Sequence, residues 1–110
     1  MILTEGRLTE LFDAVFCIAQ TIDPLLCITD ITGSSRSHIV VASRTAYVVL
    51  ARELGPASYP ELSLVMGRQG HSTAYTAHQR WKAGRDHPMV HRHVETILAA
   101  YRTQHRKESA

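Results

Sequence analysis

Apolar residues recur at three- and four-residue intervals along most of the chain, the period of a helix with one buried face. Leu8, Leu11, Phe12, Val15, Phe16 and Ala19 predict an amphipathic helix from about Thr4 to Gln20, with Thr9 and Glu10 turned outward. Asp23-Pro24 breaks it, because proline disfavours a helical residue before it. Leu25 to Ile28 forms a short apolar link, and Asp30-Ile31-Thr32-Gly33 predicts one short turn of helix closed by glycine. The strongest pattern is Ile39 to Leu54, where Val40, Ala46, Tyr47, Leu50, Ala51 and Leu54 give a broad apolar face suited to a central helix. Gly55-Pro56 stops it.

The next segment, Ser58 to Ala77, predicts a short helix, a glycine-bracketed turn and a second helix. Ser58 can cap the first, with Glu61 returning the bond three residues later and Pro60 tolerated in the first turn. Leu62, Val65 and Met66 fall at helical spacing. Gly67 and Gly70 bracket Arg68-Gln69, which is turn chemistry carrying two exposed hydrogen-bonding side chains. His71, Ser72 and Thr73 then open a helix to about Lys82, with Ala74, Ala77 and Trp81 inward and Tyr75, Thr76, His78 and Gln79 more exposed. Gly84 closes it. Asp86 is placed to cap a last helix, with Pro88 in its first turn and Val90, Val94, Ile97, Leu98 and Tyr101 as its apolar stripe. No segment alternates with period two. The expected architecture is all-α: one compact helical domain over 1–110, five or six helices containing a helix-turn-helix, core about 4–103, with a polar tail from 104 to 110 that frays.

Composition narrows the class. An apolar fraction of 45% with 20% charged residues is that of a soluble globular domain. No apolar run approaches the roughly 18 residues that span a bilayer, and the first residues lack a signal-peptide layout. A cytoplasmic protein, in the bacterial cytoplasm and nucleoid or phage-encoded, is the expectation. Cys17 and Cys27 make neither a disulfide framework nor a metal knuckle, and their apolar neighbours predict small core hydrophobes.

Net charge is only +2, but it is unevenly spread. Residues 1–33 carry Arg7 against Glu5, Glu10, Asp13, Asp23 and Asp30; residues 34–84 carry six bases against Glu53 and Glu61. The basic excess coincides with the predicted helix-turn-helix, the footprint a polyanion binder needs. There, Ser34-Ser35-Arg36-Ser37-His38 is polar and basic, preceding the central helix. One alternative is a plain loop with a helix cap at Ser37. The other is a phosphate-facing loop of hydroxyls, guanidinium and free helix N–H groups.

A different chemistry is offered by seven histidines, densest at His87-Pro88-Met89-Val90-His91-Arg92-His93. His87 and His91 share a helix face with Glu95 one turn on, but His93 points elsewhere and no zinc motif completes a site. A solvated helix face is the stronger expectation than a metal-binding protein or metalloenzyme. No nucleophile, base and orienting acid fall together, so no catalytic residues, cofactor, metal or enzymatic activity are expected.

Five fragments carry a family resemblance: Ser35-Arg36-Ser37, Val40-Val41-Ala42-Ser43-Arg44, Leu50-Ala51-Arg52-Glu53-Leu54, Ser58-Tyr59-Pro60-Glu61-Leu62 and Gly67-Arg68-Gln69-Gly70-His71-Ser72-Thr73. In order and spacing, from about Asp30 to Ala77, they resemble the C-terminal DNA-binding domain of the DnaA-type chromosomal replication initiator, a Trp-repressor-like helix-turn-helix fold. The resemblance implies that Arg44 enters the minor groove and that Ser35, Arg36 and Ser37 lie along phosphates. It also implies that Arg68, Gln69, His71, Ser72 and Thr73 form the DNA-facing start of the recognition helix.

The chain departs from the family where charge matters. Gln69 stands where arginine is usual and Gly70 where aspartate is usual. Glycine cannot accept from cytosine N4, so one base contact, worth roughly 1–3 kcal/mol, is missing. Ser72 lacks the methyl of the usual threonine. Duplex binding is expected to survive with an altered preference. No Gly-x4-Gly-Lys-Ser/Thr run occurs, and 110 residues leave no room for the initiator's ATPase module. The expectation is therefore a free-standing domain without nucleotide, monomeric on double-stranded DNA, serving replication or transcription control. The alternative is a protein-interaction domain, with a regulatory partner, that kept the fold and lost specific DNA binding.

Overall fold

Buried positions occupy nearly every side of one helix, and the rest of the chain is wrapped around it. The computed structural model describes residues 5–32, 37–55, 57–67 and 72–106. Its order is α1 (Glu5–Ile22), α2 (Ile28–Thr32), α3 (His38–Leu54), α4 (Tyr59–Val65), α5 (Ser72–Lys82) and α6 (Pro88–Arg106), with no strand among the described residues. The all-α expectation holds.

α3 is the scaffold. Twelve of its residues between Ile39 and Ala51 are buried, and it packs against α1, α2, α5 and α6. A helix apolar on most sides must be enclosed, and here four neighbours enclose it. The hydroxyl of buried Ser43 donates to the Ile39 carbonyl at 2.7 Å, so its burial leaves no unmade bond. α1 lays Leu8, Leu11, Phe12, Val15, Ile18 and Ala19 against this core, and the Phe12 ring meets Tyr47 edge-on at 5.2 Å. α6 contributes Val90, Val94, Ile97 and Leu98.

The helix ends show which local signals dominate. At α4 the expected capping box forms: Ser58 Oγ accepts from the Glu61 N–H, and the Glu61 carboxylate accepts from the Ser58 N–H. α5 ends in a Schellman turn, in which Gly84 at φ 65° donates to the Trp81 carbonyl and Arg85 to that of Arg80. The left-handed conformation is why glycine stands there.

Several expectations change. α1 runs on to Ile22, directly to the Asp23-Pro24 break. Cys17 and Cys27 are exposed rather than core residues: Cys17 lies on the outer face of α1, and Cys27 precedes α2, where its N–H donates to Asp30 Oδ2 at 2.9 Å. Leu54, the last residue of α3, is 47% exposed rather than part of the buried face. Asp86 does not cap α6. His87 occupies that position, its Nδ1 accepting from the Met89 N–H at 3.1 Å. α6 continues to Arg106, past the expected start of fraying at Gln104, while 107–110 lie outside the described residues.

Candidate nucleic-acid interface

α4 and α5 pack against each other and carry the segment expected to read DNA. Ala74, in the first turn of α5, is fully buried, and its N–H donates to Ser63 Oγ of α4 at 3.4 Å. That bond ties the start of α5 to the middle of α4. Ser72 and Thr73 belong to the first turn of α5. Arg68, Gln69 and His71 lie outside the described residues, as do Ser35 and Arg36.

The residues from which these two polar segments depart are in contact. Thr32 ends α2 just before residues 33–36, and Gly67 ends the described chain just before residues 68–71. A Cβ on Gly67 would lie 3.2 Å from Thr32 Cβ, and the glycine has φ 76°. Only a residue without a side chain allows both this approach and this conformation at low cost. The far end of the first segment is Ser37. It stands exposed at the N-cap of α3 in extended conformation, its side chain making no cap bond. The expected cap is there in position but not in hydrogen bonding.

Arg44 behaves differently from the role its resemblance implies. It is buried in α3, and its guanidinium donates to the carbonyls of Ile31 at 2.8 Å and Asp30 at 3.2 Å. These carbonyls belong to α2, whose five residues leave terminal C=O groups without helical partners. A buried cation at a helix C-terminus is favoured by both hydrogen bonding and the helix dipole. As placed, Arg44 does not project from the surface toward a minor groove. It holds α2, and with it Thr32, against α3.

A second group joins three helices and was not foreseen. The Arg52 guanidinium sits 4.7 Å from the centre of the Tyr59 ring and donates to the Ala57 carbonyl at 2.6 Å. Tyr59 Oη is 2.8 Å from His78 Nδ1, and the Tyr59 ring meets Tyr75 edge-on at 5.3 Å. His78 is thus half-buried rather than exposed, and burial pushes its pKa down, aided by Lys82 and Arg52 and opposed by Glu53. The three contributors lie on three helices at spacings with no period. Only the aromatic residue inside the capping sequence hinted at them.

The histidine-rich stretch is otherwise engaged. His87 stacks on His38 at 4.3 Å, and His91 stacks on Trp81 at 4.8 Å while pairing with Glu95 at 3.0 Å. Among the described residues no three His, Cys, Asp or Glu side chains converge as metal ligands. Trp81 is partly buried against the core, as its spacing predicted. Exposed basic side chains of α5 and the following turn are Arg80, Lys82 and Arg85. No helix among the described residues is long and apolar enough to cross a membrane. No protein-family model matches the chain, and comparison with curated proteins and with solved structures gave no match to either.

Proposed function

We propose that this chain is a sequence-biased double-stranded DNA-binding domain. In this reading α4 and α5 act as a helix-turn-helix, and the first turn of α5, with His71, Ser72 and Thr73, meets base edges in the major groove. Ser35, Arg36, Ser37 and Arg68 take phosphates, and Gln69 contributes hydrogen bonds without charge. Arg44 supports the interface from within by fixing α2. The function is binding rather than catalysis, in replication or transcription control, in the cytoplasm, with a monomer on the duplex and neither nucleotide nor metal required.

The observation that carries the reading is the contact between Thr32 and Gly67, the last described residues before the polar stretches 33–36 and 68–71. The excess of bases over 34–84 is the second support. Anisotropy titrations of duplexes of several sequences over a salt series test it. Affinity should fall steeply as salt rises, because phosphate contacts release counterions. Binding absent at low salt, or flat with salt, would defeat the proposal.

A protein-interaction role is the second reading. Leu64 on α4, 67% exposed, is apolar surface on the helix that would lie beside the recognition helix, and a protein partner would cover it. Retention of any duplex in physiological salt would demote it.

A further inference from the structure

We propose that Tyr59 is the positioning residue of α5: its hydroxyl on His78 and its ring beneath Arg52 fix the seat of α5 and so set discrimination between DNA sequences, without Tyr59 touching DNA. The inference rests on the DNA-binding reading above. Tyr59 is the first residue of α4, held by the Ser58–Glu61 capping box, so its backbone has little freedom. Arg52, in the last turn of α3, is held over the ring by its bond to the Ala57 carbonyl. The ring is therefore fixed from two sides before it meets α5. On α5 it makes two contacts, the hydrogen bond to His78 and the edge contact with Tyr75. With the Ser63–Ala74 bond at the first turn, these give α5 attachments at both its beginning and its middle. Together with Ala74 in the core and Trp81 packed against it, these contacts set the angle at which α5 sits.

Base readout depends on that angle, because a hydrogen bond to a base edge tolerates little displacement. Phosphate contacts are less demanding and carry no sequence information. Loosening the Tyr59 attachment should therefore cost discrimination and spare general affinity.

The attachment also carries a proton dependence. Tyr59 Oη donates to Nδ1 when the His78 ring is neutral and protonated at Nε2. The charged and titratable groups facing that ring are Arg52 and Glu53 from α3, Tyr59 from α4 and Lys82 from α5 itself. A proton on His78 reverses the bond, with Nδ1–H donating to Tyr59 Oη, and adds a cation beside Arg52 and Lys82, which repel it. Burial, Lys82 and Arg52 lower the ring's pKa, with Glu53 opposing them. Acid should then loosen α5 while making the surface more positive. Discrimination falls, and affinity for DNA of any sequence does not.

The experiment compares the wild type, Tyr59→Phe and His78→Asn by anisotropy. The probes are one duplex recovered by the wild type from a random pool and one shuffled duplex of equal composition, each at about pH 7.5 and about pH 5. Tyr59→Phe should reduce the affinity ratio between the duplexes about fivefold, leaving the shuffled duplex bound as before. The wild-type ratio should fall with acid. His78→Asn, whose amide oxygen can replace Nδ1 as acceptor but cannot titrate, should lose less of its ratio to acid than the wild type does. A Tyr59→Phe ratio equal to wild type, or a His78→Asn ratio that follows the wild-type pH dependence, overturns the proposal and leaves the DNA-binding reading standing. A wild type that binds neither duplex, or both equally, overturns both.

Discussion

Arg44 Nε lies 2.8 Å from the Ile31 carbonyl oxygen, so a charged side chain of the central helix closes the end of a five-residue helix thirteen positions earlier in the chain. An isolated helix of that length is not stable, because nucleation outweighs its few bonds. Burial of Ile31 and the two carbonyl bonds from Arg44 supply what the short segment lacks.

Arg44→Ala should therefore reduce folding stability by about 3 kcal/mol, since hydrogen bonds to charged groups are worth more than neutral ones and buried carbonyls would be left unpaired. Urea unfolding measures this directly. Stability within about 0.5 kcal/mol of wild type, with loss confined to DNA discrimination, would instead mean that the side chain works in a groove.

Gly67 tests the edge where the two polar segments begin. Alanine there meets both an unfavourable φ of 76° and Thr32 Cβ at 3.2 Å. Gly67→Ala should cost about 1–2 kcal/mol and weaken DNA binding beyond what the unfolded fraction explains. Binding equal to wild type per folded molecule would separate this contact from function.

Tyr47 offers the opposite kind of substitution. Its ring is fully buried against Phe12, yet its hydroxyl has no hydrogen-bond partner among the described residues, and burial pushes its pKa up. Tyr47→Phe removes a desolvated hydroxyl and keeps the ring contact. Stability should rise by about 1 kcal/mol, read as a higher urea midpoint; a clear decrease would reveal an unrecognised partner.

Asp86 gives a pH dependence of known sign. Burial raises its carboxyl pKa, against the pull of Arg80 and His91. The folded state then holds this proton more tightly than the unfolded state does. The stabilising contribution is complete below the ordinary aspartate range and is lost as pH rises through the raised folded value. Thermal unfolding of wild type and Asp86→Asn across acid and neutral pH should show the variant's relative stability increasing as pH rises through that window. A constant difference would contradict the assignment.

What the sequence disclosed follows the range of the forces involved. Helical periods, the Ser58–Glu61 box and the Gly84 stop are set within a few residues, and each appeared as expected. Cys17 and Cys27 were misjudged because apolar neighbours in sequence say little about which side of a helix turn a residue occupies. Asp86 and His87 compete for one cap, and a ring nitrogen won over the more usual carboxylate. Arg44 and the Arg52–Tyr59–His78 group depend on helices brought together by folding, which no local spacing encodes. The contact of Thr32 with Gly67 is of that kind too.

In the proposed function DNA meets the first turn of α5 and residues 35–37, ahead of α3. Amide chemical-shift mapping of the labelled protein, titrated with duplex DNA, tests it most directly. The largest changes should fall on residues 35–37 and 68–73, with the outer face of α1 around Glu10, Asp13 and Cys17 unmoved. Changes centred on α1 or α6, or no change at low salt, would contradict the account.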